Sequence, residues 1–140
     1  MINKKYQLRP EVPGQLGPKT IMKNRQSSPS VEYLHFIFDG WLGDDLVECF
    51  PVYLISNALA DNIKKTNLTG FMIKEAEIGY SDLFKQLYPN RKMPTFFWLC
   101  IIGNPVDDFW INSNKYLVVS QRALEFLHKF KIKNTEIIGI

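Results

Sequence analysis

The stretch YLISNALADNIKKTNLTGF, residues 53 to 71, aligns without a gap to LVVSQRALEFLHKFKIKNT, residues 117 to 135. In each copy an apolar run ends at a serine, Ser56 or Ser120, and apolar positions then recur at helical spacing. Ala60 and Leu124 stand four residues after the serines, Ile63 and Leu127 seven after, and Leu68 and Ile132 twelve after. That period predicts a strand feeding a helix with one buried face. Each serine sits where an N-cap belongs, accepting a hydrogen bond from an orphan amide of the first turn, a contribution of about 1 kcal/mol. No Gly-x-Ser-x-Gly elbow surrounds either serine, so neither reads as a nucleophile. Gly70 and Asn134 take equivalent places after the helices, and both residue types tolerate a left-handed backbone. Each copy continues as a strand, 70 to 78 and 135 to 140.

Two strand-helix-strand units, 50 to 78 and 114 to 140, therefore frame the chain. Around them VEYLHFIF (31 to 38), FPVYLIS (50 to 56), PTFFWLCIIG (94 to 103) and Phe109 to Ile111 read as strands, and Ser81 opens a short helix. Strands outnumber helices. The expected fold is a single α+β domain over residues 1 to 140, with a mixed or mainly antiparallel sheet and helices packed on one face. Residues 1 to 30 hold Pro10, Pro13, Gly14, Gly17, Pro18, Pro29 and the run QSSPS, and read as an irregular arm over the domain surface.

At 46% hydrophobic and 22% charged residues, the chain can bury an ordinary core without disulfides or metals. The N-terminus lacks the apolar stretch of a secretory signal and the longest apolar run, 96 to 102, is too short to span a bilayer. A cytoplasmic protein with no membrane association is expected, its Cys49 and Cys100 reduced and buried beside apolar neighbours.

Charge is unevenly placed. Residues 1 to 25 carry six Lys/Arg against one Glu, whereas 26 to 63 carry six carboxylates and neither Lys nor Arg. Four of those carboxylates crowd into FDGWLGDDLVECFP, residues 38 to 51. Asp39, Asp44, Asp45 and Glu48 lack the alternating order of a calcium loop. Histidine is confined to His35 and His128, which gives a transition metal no partner set, and no metal or cofactor is expected. Asp44 and Asp45 are adjacent, and adjacent side chains point apart, so they do not make an acid-base dyad. The GWLG glycines lack a following phosphate-cradle motif. Lys129, Lys131 and Lys133 follow a helix whose Ala123, Leu124, Leu127 and Phe130 face a core, and cations there meet the helix dipole. Nucleic-acid binding calls for a denser basic surface. Trp98 reads as core; Trp41 and Trp110, set among polar turns, are open to a core or an interface role.

The segments RPEVPGQLG, FDGWLGDDLVECFP, LTGF, LYPNRKMPTFFWL, DDFW and LVVSQRALEFLHKF together resemble small uncharacterised bacterial proteins related to the immunity proteins of polymorphic toxin systems. The resemblance covers most of the chain, and its motifs are structural. It implies a non-catalytic protein that binds and neutralises a cognate protein toxin encoded beside it. In that setting 38 to 51 is expected to be an acidic docking turn using Asp39, Trp41, Asp44, Asp45 and Glu48, with Asp107, Asp108 and Trp110 as a second contribution. The alternative is an interaction or scaffold module, self-associating through a sheet edge or the N-terminal arm. An enzyme would need convergent polar groups in a pocket, which no motif here announces.

Overall fold

A computed structural model describes residues 4 to 23 and 30 to 140. Most of the QSSPS run lies outside the described residues. The chain order is β1 (Lys5–Arg9), β2 (Gly14–Leu16), β3 (Ile21–Lys23), β4 (Ser30–Tyr33), β5 (His35–Phe38), β6 (Leu46–Cys49), β7 (Val52–Ser56) and α1 (Asn57–Ile63). It continues β8 (Phe71–Lys74), β9 (Glu77–Tyr80), α2 (Asp82–Leu87), β10 (Phe96–Ile101), β11 (Phe109–Ile111), β12 (Leu117–Ser120), α3 (Gln121–Leu127) and β13 (Glu136–Gly139). This is an α+β fold dominated by antiparallel pairing; only β5 and β9 form a parallel pair among the named strands. Among the described residues no helix is long and apolar enough to cross a membrane.

The repeat is larger than the sequence alignment shows. One sheet runs β6-β7-β10-β8 and the other β11-β12-β1-β13. Their registers correspond pair for pair: Leu99 lies between Tyr53 and Ile73 in the first, and Leu8 lies between Leu117 and Ile137 in the second. Leu46 opposite Ile55 is matched by Phe109 opposite Val119. β10 and β1 are thus equivalent third strands. Taken along the chain, the repeats are β1-β6-β7-α1-β8 and β10-β11-β12-α3-β13, and each inserts its first strand into the sheet of the other. The expected N-terminal arm is corrected by this: Lys5–Arg9 is an interior strand, hydrogen-bonded on both sides, and Leu8 is wholly buried.

Exchange of strands gives the two units one core. Leu8, Leu46, Ile55, Leu59, Ile63 and Leu99 pack in the same cluster as Phe109, Leu117, Val119, Ala123, Leu124, Leu127 and Ile132. Both repeat helices lie on this core and begin as expected: Leu59 N donates to Ser56 Oγ and Ala123 N to Ser120 Oγ. The short α2 departs from the one-face arrangement. Its Phe84 joins a second cluster with Phe36, Phe38, Leu54, Phe96 and Trp98, built where β2-β5-β9 covers the outer face of the first sheet.

Four local expectations need revision. The segment 31 to 38 breaks at Leu34 into β4 and β5, and 70 to 78 breaks into β8 and β9, which join different sheets. Cys49 and Cys100 are unpaired but half-buried. Gly70 does adopt a positive φ of 103°, and a Cβ there would sit 2.1 Å from the Phe109 carbonyl oxygen, so only glycine fits. Asn134 is not left-handed. It is held instead by a carboxylate.

Candidate functional site

The acidic residues of the sequence divide into two groups once they are placed. Asp45 and Asp108 occupy equivalent corners of the two units, each just before its edge strand. Asp45 Oδ1 accepts from the Ser56 hydroxyl at 2.7 Å, and Asp108 Oδ1 accepts from the Ser120 hydroxyl at 2.6 Å. The same serines cap α1 and α3, so each aspartate orients a helix cap. The second oxygen reaches into the other unit: Asp45 Oδ2 accepts from Lys131 N at 2.8 Å, beyond α3, and Asp108 Oδ2 accepts from Thr69 N at 2.9 Å, beyond α1. Each carboxylate therefore fastens its own helix start to the loop that follows the partner helix. Asp44 adds a third tie, accepting from Asn134 N at 2.7 Å and Asn134 Nδ2 at 3.0 Å while itself almost wholly buried.

At Asp108 the second unit adds Arg122, whose Nε and Nη2 donate to Oδ1 at 2.8 Å and Oδ2 at 2.6 Å. Burial alone would raise the Asp108 carboxyl, but Arg122, Ser120 and the Thr69 amide together hold it well below the usual carboxylate range. Arg122 also donates to Asn67, tying the same loop. These contacts correct the expected docking set: Asp44 and Asp108 are buried with their oxygens engaged, and Asp45, though only half-buried, spends both carboxylate oxygens on Ser56 and Lys131. Asp107 accepts from Asn104 N and shapes the 104 to 107 turn. Trp110 is half-buried on β11, in the unit opposite Trp41. The two Asp-Asp pairs are equivalent corners of a duplication rather than one acidic surface.

Glu48 differs again. It lies half-buried on β6 opposite Tyr53, on the core-facing side of the strand, and burial pushes its carboxyl up to about 7, with Arg9 pulling weakly the other way. A carboxylate raised in the folded state binds its proton more tightly there, so between about pH 4.5 and 7 stability falls as pH rises. Above pH 7 the cost is fully present. Glu48→Gln should therefore raise unfolding free energy by about 1–2 kcal/mol at pH 8, after allowance for solvent screening, and change little at pH 4. Urea titrations of both proteins at the two pH values check this; a gain independent of pH contradicts it.

Two residues of 38 to 51 are exposed, Leu42 and Phe50, and Leu42 sits in the turn beside Trp41. Trp41 is half-buried, its Nε1 donating to Asp44 O at 2.8 Å and its ring meeting Phe96 edge-on at 5.8 Å between centroids. Leu42 N donates to Glu11 Oε2 at 2.8 Å, which leaves the Leu42 side chain 67% exposed. Val12, 61% exposed, shares a shallow groove with Trp41, Leu42, Asp39 and Tyr88. Arg91 joins two of these residues: its Nη1 donates to Trp41 O at 2.7 Å, and its guanidinium lies 4.8 Å from the Trp41 ring centre and 5.1 Å from that of Tyr88. The loop is thus fixed by backbone and side-chain bonds while two apolar side chains face solvent.

Val12, Leu42, Tyr88 and Arg91 were not marked by sequence, because nothing in it brings residues 12, 42 and 88 to 91 together. Arg122 and Thr69 were missed for another reason. The Asp-Asp pairs precede their serines by eleven residues in one unit and twelve in the other, so a gapless alignment cannot superpose them. No family model, curated protein or solved structure matches this chain.

Proposed function

We propose that this chain is a non-catalytic bacterial protein of the immunity type, which binds a cognate protein toxin in the cytoplasm and neutralises it. The observation that supports this most is the surface around Trp41: the exposed side chains of Val12 and Leu42 beside a half-buried indole whose N–H donates to Asp44 O, with Asp39 at the rim. A rigid aromatic and aliphatic centre with charge around it is the arrangement through which tight protein complexes gain most of their affinity. Asp39 and Trp41 stay in the proposed contact set, joined by Val12 and Leu42. Asp44 and Asp45 serve as the frame beside it, and Asp108 fills the equivalent corner of the other unit.

The test is co-purification of the tagged chain with the product of the neighbouring gene, with toxicity of that product scored in the same cells. A complex and rescue are expected. Leu42→Glu should weaken the complex at least 100-fold while the melting temperature stays within about 2 °C, since the side chain makes no core contact. Unchanged affinity removes this surface from the interface, and a non-toxic neighbour with no complex contradicts the reading as a whole.

A second reading, a self-associating interaction module, has one observation in its favour. β13 is an edge strand paired only with β1 among the described residues, and Ile138 and Ile140 beside its free edge are exposed. A mass that rises with concentration for the isolated chain would support it.

A further inference from the structure

Sharing Tyr88 with the Trp41 surface is a second groove of about 390 Å³. Its wall is a ladder of rings along and before α2: Tyr80 to Phe84 at 4.9 Å and Phe84 to Tyr88 at 5.1 Å between centroids. Met93 completes the apolar lining, and the polar contribution comes from two cations, Lys85 and Arg91. No carboxylate lines the groove, and neither cation has an ion-pair partner within 4.0 Å among the described residues. The contrast is with Lys19, Lys23 and Arg122, which are each paired.

Arg91 is held in place before any ligand arrives. One Nη1 proton goes to Trp41 O, and the guanidinium carbon lies over the Trp41 and Tyr88 rings at 4.8 Å and 5.1 Å from their centres. The remaining N–H donors of the fork are unspent by any side-chain bond described for Arg91. A guanidinium fixed this way loses little freedom on binding and matches a planar carboxylate better than a mobile ammonium would. Glu11 acts on Arg91 only through space, its own Oε2 being engaged by Leu42 N. The volume suits one aromatic or planar apolar group.

We propose that this groove binds an aromatic group carrying a carboxylate, the ring against Phe84, Tyr88 and Met93 and the carboxylate on Arg91, with Lys85 adding charge. Such a group can come from a free small aromatic acid or from a chain ending in an aromatic residue with its α-carboxylate free. The proposal does not rest on the toxin-binding reading, and either can fail without the other.

The full chain is titrated with 3-phenylpropionate and with its neutral amide, followed by NMR through the Met93 methyl and the Trp41 indole N–H. Saturable shifts at both probes are expected for the acid, with Kd on the order of 0.1–1 mM for a ligand of this size. The amide should bind at least tenfold more weakly. Arg91→Gln should weaken the acid at least tenfold. Because that change also removes a bond to the Trp41 loop, Lys85→Gln is measured alongside: it leaves Arg91's contacts alone and should weaken the acid severalfold without changing amide binding. A pentapeptide ending in free Phe, compared with the same peptide amidated, separates the sources. Tenfold tighter binding than the small acid points to a chain end, and equal or weaker binding points to a free acid. The proposal is overturned if acid and amide bind alike, if both cation variants bind the acid like the parent, or if neither probe shifts by 20 mM.

Discussion

Asp108→Ala is expected to be the most damaging single substitution on the polar framework, lowering unfolding free energy by about 3–5 kcal/mol. Five bonds converge on its carboxylate, which accepts from Ser120 Oγ, Arg122 Nε and Nη2, Thr69 N and Thr69 Oγ1. Removal orphans a helix-cap hydroxyl, a loop amide and a guanidinium together, and buried groups left unpaired cost more than the pair was worth. The Arg122 side chain is half exposed and can recover water, which places the value toward the lower end. For a domain of this size that is roughly a 10 °C fall in melting temperature. Arg122→Gln should cost less, about 1–2 kcal/mol, because the carboxylate keeps Ser120 and Thr69. The acid dependence has a definite sign. A carboxyl held below its usual range lends stability above that range and loses it as pH falls, so the gap between parent and Asp108→Ala should narrow on acidification. Urea unfolding at pH 7 and pH 3 measures both effects; a gap that widens in acid contradicts the assignment.

The second large effect concerns β1. Removing the chain up to and including Arg9 withdraws the strand that separates β12 from β13, leaving β13 with no partner among the named strands and taking Leu8 out of the shared core. Two ladders and a buried leucine are lost at once. That is comparable to the 5–15 kcal/mol a domain typically has in hand, and the truncated chain should show no cooperative unfolding transition. A peptide covering residues 4 to 11, added in trans, should restore it, as the strand is exchanged between units rather than formed from a local hairpin. A truncated chain that melts like the parent would mean that β1 is an ornament on an otherwise complete sheet.

These two cases show what local sequence conveyed and what it did not. The helix starts at Ser56, Ser81 and Ser120, the strands β7, β10 and β12, and the core positions Ala123, Leu124 and Leu127 were legible because capping and periodicity act within one turn or one strand. β1 was not. KYQLR carries charges on its outward face and sits beside prolines, and it becomes an interior strand only because partners more than a hundred residues away flank it. The acidic stretch misled for the same reason. Asp44 and Asp45 look like surface charge in a turn, yet their acceptors are matched by the backbone of residues 131 and 134, which no local pattern reveals. Trp98 as core could be read from its apolar strand, whereas the pairing of Trp41 with Arg91 depended on a loop 50 residues away.

The most direct measurement is the unfolding free energy of four isosteric variants under one set of conditions: Asp39→Asn, Asp44→Asn, Asp45→Asn and Asp108→Asn. If the acidic residues are sorted into a frame and a surface, Asp39→Asn stays within about 0.5 kcal/mol of the parent, whereas each of the other three loses at least about 1.5 kcal/mol. Four variants of equal stability would contradict that sorting and return all four aspartates to the solvent-facing role that composition first suggests.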